Sequence, residues 1–160
     1  MKVSTTATIE CSAAVDEVFD HATSLETLST LLRPVGPLPG VERAWVAAGA
    51  TIGKGVHRSV LLSDGATLDE EITEWDPPRV HEYRVTGFAA PFSLLVRSAI
   101  ARWSFESLGS GAQARTRVTW RYEFSPTSPL ALPLVVPLVK LAMNKLMRTT
   151  LENLRSATSR

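Results

Sequence analysis

Thr116-Arg117-Val118-Thr119-Trp120-Arg121-Tyr122-Glu123-Phe124 alternates without a slip, and a short Pro/Ser turn then leads into a long apolar helix ending near Ala157. Alternate residues of a strand share a face, so Val118, Trp120, Tyr122 and Phe124 form one bulky apolar side. Such a face needs cover, and the helix that follows is the nearest lid. Sheet and helix would enclose a core with two polar-tipped aromatics, which is how a ligand cavity is built.

Within that helix Val139, Met143, Leu146, Met147, Thr150, Leu151 and Leu154 share a face, while Lys140, Asn144, Lys145, Arg148, Glu152 and Arg155 largely occupy the other. Pro129, Pro133 and Pro137 tilt or interrupt its start, so the continuous part is expected from Pro137, where proline suits a first turn. The apolar run Leu130 to Met143 falls short of the ~18 to 20 residues that span a bilayer. It also carries Pro133, Pro137 and Lys140, so the expectation is a helix that folds back on its own sheet, with no integral membrane segment.

Upstream, Val3 to Glu10 is rich in Thr, Val and Ile and reads as a first strand, with Ser12 placed to cap a helix. Val15, Val18, Phe19 and Ala22 recur at helical spacing through Thr23, and Leu25, Leu28, Leu31 and Leu32 continue a second short helix that Pro34, Pro37 and Pro39 stop. Turn signals at Gly49, Gly53 to Gly55, Ser63 to Gly65, Asp76 to Pro78, Gly87 and Gly109 to Gly111 then separate six strand-like runs. These are Val41–Ala48, Val56–Leu62, Thr67–Trp75, Val80–Thr86, Leu95–Ser107 and Ala114–Phe124. The order is β-α-α-β6-α, an α+β layout with a seven-stranded antiparallel sheet.

At 160 residues the chain fits one domain, 1–160, able to bury a core without metal or disulfide. Seventeen basic against sixteen acidic residues give no electrostatic reason to expect nucleic acid as a partner. Cys11 is the only cysteine, which forbids an internal disulfide and suits a reducing cytosol. MKVSTTATIE lacks an apolar signal region behind its lysine, so the cytoplasmic compartment is expected. His21, His57 and His81 lie on separate elements without metal-ligand spacing, so neither metal nor other cofactor is expected. Gly53-Lys54-Gly55 is too short for a phosphate-binding loop, and hydrolase motifs are absent.

The element order and three local signatures resemble the START-like helix-grip (SRPBCC) superfamily, and within it the polyketide cyclase/dehydrase and lipid-transport group. The signatures are Ser12-Ala13-Ala14-Val15-Asp16-Glu17-Val18-Phe19 opening the first helix, Thr73-Glu74-Trp75-Asp76-Pro77-Pro78-Arg79 at a strand turn, and Gly109-Ser110-Gly111 before Arg117-Val118-Thr119-Trp120. The resemblance implies a START/Bet v 1-like fold, a curved antiparallel sheet wrapped around the C-terminal helix with a cavity between them. Members of this superfamily bind lipids, hormones and polyketides, cyclise aromatic precursors, or act as protein partners, so it specifies fold more than activity.

Strand phase gives an expected lining. Leu68 and Ile72 draw Glu70 to their face, with Asp69 and Glu71 outward. The resemblance places His81, Tyr83 and Val85 inside. Trp103 and Phe105 set Ala99 and Ala101 inward, and the last strand adds Trp120 and Tyr122. Met143 and Met147 come from the helix, as core or as an adaptable wall. Glu70 reads either as a rim carboxylate paired with Arg58 or Arg84, or as a buried acid or base. His81 is a structural imidazole or a proton carrier, and Tyr83 and Tyr122 are core aromatics or donors to a ligand carbonyl. The sequence does not fix the phase of the strand carrying His57 and Arg58, and a solvated face is expected for them in preference to a site. The loops Pro34–Gly40 and Thr86–Phe92, with Phe88 and Phe92, are the expected mouth.

Three functions follow. The first is binding of a small hydrophobic molecule such as a lipid, polyketide or isoprenoid; the second is a cyclase/dehydratase-like enzyme using Glu70 or His81 with the tyrosine hydroxyls. The third is a protein-interaction or membrane-docking module using Leu130–Leu141, read out at Leu134 and Leu138. A homodimer is left open.

Overall fold

The computed structural model describes residues 1–159. β1 (Val3–Cys11) is followed by α1 (Val15–Thr23) and α2 (Leu28–Leu31), then by β2 (Val41–Val46), β3 (His57–Leu62) and β4 (Thr67–Asp76). Next come β5 (Val80–Thr86), β6 (Val96–Ser107) and β7 (Thr116–Pro126). A 3-10 turn at Pro129–Ala131 leads into α3 (Leu132–Pro137), a π-helical stretch over Leu138–Met143, and α4 (Asn144–Thr158). The order is the expected one, and strand ends move by at most two residues.

The strands form one sheet in the order β1-β7-β6-β5-β4-β3-β2, with every pairing antiparallel. Register shifts at Val41/Arg43, Ile72/Glu74 and Val96/Ser98 bend it, as bulges do, into the curve that holds the helix. Period-two burial runs the length of β7, where Thr116, Val118, Trp120, Tyr122, Phe124 and Pro126 all face inward. This is the α+β helix-grip.

Two local expectations change. Ser12 does not cap α1: Ala14 occupies the N-cap position without a side-chain bond, and the helical ladder opens with Val18 N–H donating to the Ala14 carbonyl at 3.1 Å. Pro137 is not a first-turn residue either, because helix already runs from Leu132 and Pro137 lies inside it. Proline supplies no N–H there, and the π-helical stretch begins at the next residue.

The C-terminal helix therefore has two unlike halves. In α4 Leu146, Met147, Thr150, Leu151 and Leu154 are buried, and Lys145, Arg148, Glu152 and Arg155 face water. Asn144 Nδ2 donates to Thr5 Oγ1 (2.8 Å) on β1 and Asn153 Nδ2 to the Leu31 carbonyl (2.9 Å) of α2, fixing α4 between sheet edge and short helices. In the first half Val135 and Val139 are buried while Leu130, Leu134 and Leu141 are exposed. The helical run Pro129–Thr158 is 30 residues long and is apolar enough, by length and composition, to cross a membrane, which the shorter apolar segment did not suggest. Here its inner face is packed against the sheet.

Candidate ligand cavity

A cavity of about 490 Å³ lies between the curved sheet, the first half of the helix and the loops at one end. Its walls are mostly apolar: Leu28, Val60 and Leu68 on one side, Phe88, Phe92 and Phe124 on another, Leu138, Val139 and Met143 above. The loop Gly87–Leu95 and the strap Leu32–Gly40, which overlap the loops expected to form the mouth, contribute Leu32, Pro37, Leu38, Phe88, Phe92 and Leu95 to the lining. The strap is held down at Gly40, whose N–H donates to Ser63 Oγ at 3.0 Å. A Cβ there would meet the Leu32 carbonyl oxygen at 2.5 Å, so only glycine permits this approach. A larger recess of about 780 Å³ between Ser12–Ala14 and Leu108–Arg115 is an open surface groove of loop backbone with one charged side chain, Arg115.

The polar part of the cavity is a cross-strand pair. Arg58 on β3 stands directly opposite Glu70 on β4, and both are buried, at 2% and 7% exposure. Arg58 Nε donates to Glu70 Oε1 at 2.7 Å and Nη2 reaches the same oxygen at 2.6 Å. Both contacts go to the one carboxylate oxygen, Oε1. The guanidinium carbon sits 4.9 Å from the centre of the Tyr83 ring. Burial works against the Arg58 charge, but Glu70 and then Tyr83 beside it more than offset that, and its pKa is raised.

Tyr83 and Tyr122 complete this patch. Both face Ala101, which pairs with Tyr83 on one side and Tyr122 on the other and has no bulk to hold them apart. Trp103 Nε1 donates to Tyr83 Oη at 3.4 Å. Burial first, and then the neighbouring Glu70 for Tyr83 and Tyr83 itself for Tyr122, push both phenols above their ordinary range. They stay protonated and available as donors at any ordinary pH.

The expected lining divides in two. Glu70, Tyr83, Tyr122 and Met143 line the cavity, whereas His81, Trp103, Phe105, Trp120 and Met147 sit in the filled core beyond it. Trp103 stacks on Trp120 at 4.2 Å, Phe105 meets Phe19 at 5.0 Å, and Trp75 packs edge-on to His81 at 5.2 Å. His81 is 2% exposed, and neither ring nitrogen has a protein hydrogen-bond partner. Burial, with the Arg58 charge second, pushes its pKa down to about 3, so it is neutral at physiological pH.

Glu70 is paired with Arg58 as one reading expected, but inside the fold rather than at the rim, and Arg84 is exposed on the opposite face. Arg58 is the cavity residue that sequence reasoning missed. His57 does face solvent, bonded to Asp69 at 2.9 Å, but Arg58 shares the phase of Val56, Val60 and Leu62. That apolar alternation is the signal that marks it as inward. Leu138 likewise faces the cavity rather than solvent, and Leu141 takes the outward place beside Leu134. Among the described residues no group of His, Cys, Asp or Glu is placed to hold a metal ion.

Solved structures with the same architecture span nearly the whole chain. A START superfamily protein from Mycobacterium smegmatis aligns at TM-score 0.69 and 11% identity, covering 97% of this chain and 96% of that one. Ara h 8.0201 aligns at TM-score 0.68 and 11% identity over 99% and 98%. A protein from Nitrosospira multiformis gives TM-score 0.69 and 15% identity over 98% and 96%. No curated protein matches the chain in sequence. At such identities the likeness establishes the fold, a sheet gripping a helix with room between them. The sequence itself supplies the narrower assignment, because the family model described as polyketide cyclase / dehydrase and lipid transport matches residues 2–158. The chain therefore belongs to the polyketide cyclase / dehydrase and lipid transport family.

Proposed function

We propose that this chain, acting as one domain in the cytoplasm, binds a small hydrophobic molecule whose apolar body ends in one uncharged polar head. The observation that carries the reading is the buried Arg58–Glu70 pair on the wall of a mostly apolar cavity of about 490 Å³. That volume lies in the ~300–1,000 Å³ range of small-molecule sites. The pair is compensated, so an ionised head would bring an extra charge into a low-dielectric site. A neutral head with one acceptor and one donor fits better. Its carbonyl would accept from Arg58 Nη1, and its hydroxyl would donate to Glu70 Oε2.

Native mass spectrometry tests this with a panel of long-chain hydroxyketones, fatty acids and plain alkanes. The hydroxyketones should give the most persistent adducts, Glu70→Gln should weaken them, and Leu68→Trp should remove all of them. Equal retention of alkanes and hydroxyketones would sink the role given to the ion pair.

A second reading is favoured by the convergence of Glu70, Tyr83 and Tyr122 on the same cavity. There Glu70 would take a proton next to a ketone polarised by Arg58 and a tyrosine hydroxyl, as in a cyclase or dehydratase. His81, the other candidate for the proton, lies outside the cavity lining. Product formation from a poly-β-ketone by wild type and its loss in Glu70→Gln would move the assignment from carriage to catalysis.

A further inference from the structure

The outer face of the helix's first half carries four of the seven large hydrophobic side chains exposed among the described residues, Leu130, Leu134, Val136 and Leu141. Leu130, Leu134 and Leu141 are 89%, 61% and 70% exposed, and Leu94 on the neighbouring loop is 72% exposed. These residues belong to one region, because Thr127 Oγ1 donates to the Leu94 carbonyl at 2.7 Å and Thr127 N–H to that of Leu95 at 2.9 Å. Only 28% of the helix's most apolar 18-residue window is buried. A patch of this kind on a folded chain marks a docking surface.

Charge identifies the occupant. No carboxylate occurs from Thr86 to Ala101 or from Ser125 to Leu151, the stretches that form this region. Its charged residues are Lys2, Arg97, Lys140, Lys145 and Arg148, and the hydrogen bonds of the first three go to uncharged oxygens: Lys2 to Ser125 Oγ, Arg97 to the Thr127 carbonyl and Lys140 to the Ser4 carbonyl. Elsewhere the arginines are largely matched, as in Arg102 with Glu74 and Glu82 or Arg117 with Glu10 and Glu106. Exposed leucines ringed by unmatched cations are complementary to a bilayer that offers acyl chains beneath anionic headgroups.

We propose that Leu94, Leu130, Leu134 and Leu141 dock this chain on the surface of an anionic lipid membrane, with Lys2, Arg97 and Lys140 at headgroup level. The helix lies on the surface and does not cross it, since Val135, Val139, Met147, Leu151 and Leu154 are committed to the sheet. Leu138 and Leu95 are in the cavity wall while Leu94, Leu134 and Leu141 are outside it, so the docked face adjoins the cavity. An apolar ligand could then pass between bilayer and cavity without crossing water.

The test is co-sedimentation of the full chain with vesicles of phosphatidylcholine alone and of phosphatidylcholine mixed with phosphatidylglycerol. Binding is expected to the mixed vesicles, to fall by about fivefold for each cation removed in Lys2→Gln and Arg97→Gln, and to disappear at high salt. Leu134→Asp with Leu141→Asp should abolish it while leaving the melting temperature unchanged, because neither side chain is packed. Leu68→Trp should pellet as wild type does, and wild type that docks but takes up no ligand of the panel would sink the proposed cargo and leave the docking intact. Absence of vesicle binding at low salt, equal binding by the double leucine variant, or a dimer in light scattering that the leucine changes dissolve while vesicles go unbound would each overturn the proposal.

Discussion

The space under the sheet has two ends made by the same strands. At one end β6 turns Trp103 and Phe105 inward and β7 turns Val118 and Trp120, and with Phe19 of α1 they leave no room. At the other β6 supplies Ala99 and Ala101 against Phe124 and Tyr122, and the space stays open. Two alanines in place of two large aromatics separate core from cavity. The polar atoms divide in the opposite sense. The filled end leaves Trp120 Nε1 and both nitrogens of His81 without partners, whereas the hollow end pairs Arg58 with Glu70. Each unpartnered polar atom costs the filled end about 1–3 kcal/mol, whereas the buried Arg58 charge is tolerated because Glu70 matches it.

The sharpest way to break this contrast is to empty each end. Trp120→Ala should cost about 3–5 kcal/mol in urea unfolding, while Phe92→Ala at the half-exposed mouth should cost about 1 kcal/mol. Equal losses would mean that both ends are packed alike. Next, Arg58→Met should cost about 3 kcal/mol by stranding the Glu70 carboxylate, and Arg58→Met with Glu70→Leu should recover most of it. If the double variant is as unstable as the single one, the pair is structural by shape rather than by charge.

The filled end carries its own pH signature. Burial depresses His81 from 6.5 to about 3 in the fold, so between those values the unfolded chain binds the proton that the native one refuses. Stability should fall as pH drops through that window, by about 1.4 kcal/mol per pH unit from this group, and should be indifferent to His81 above it. His81→Phe should flatten that part of the profile. The smallest effect is expected from Leu68→Trp, which fills the hollow end at a stability cost of about 1 kcal/mol or less, because the ring enters space that is already there. Denaturation midpoints read alongside ligand retention would separate the two consequences.

Element order, strand phase and the inward Glu70 could all be read in the sequence, because alternation along Thr67–Trp75 and Thr116–Phe124 is a local property of the chain. Arg58 was legible by the same rule, yet an arginine on a mixed strand is more readily given to solvent than to a core. The division between Trp103 and Tyr83 was not legible. Both face inward, and which of them borders the cavity depends on Phe19 and Trp75 arriving from other elements. The missing cap at Ala14 and the path of the helix through Pro137 also depend on neighbours that no local pattern records.

The widened turn over Leu138–Met143 has a geometric consequence for the whole helix. Inward residues Val135, Val139, Met143, Met147 and Leu151 recur at every fourth position. In regular α-winding that spacing creeps about 40° around the axis at each step, so the seam would drift to the far side over its length. The π-helical turn packs more residues into each revolution and runs the creep backwards. It acts as a vernier between two rigid cylinders, set by hydrogen-bond register rather than by side-chain choice. Deleting one residue within it would restore plain α-winding and leave Leu130 and Leu134 in nearly their present phase relative to α4, because the turn gives up only the residue that widened it.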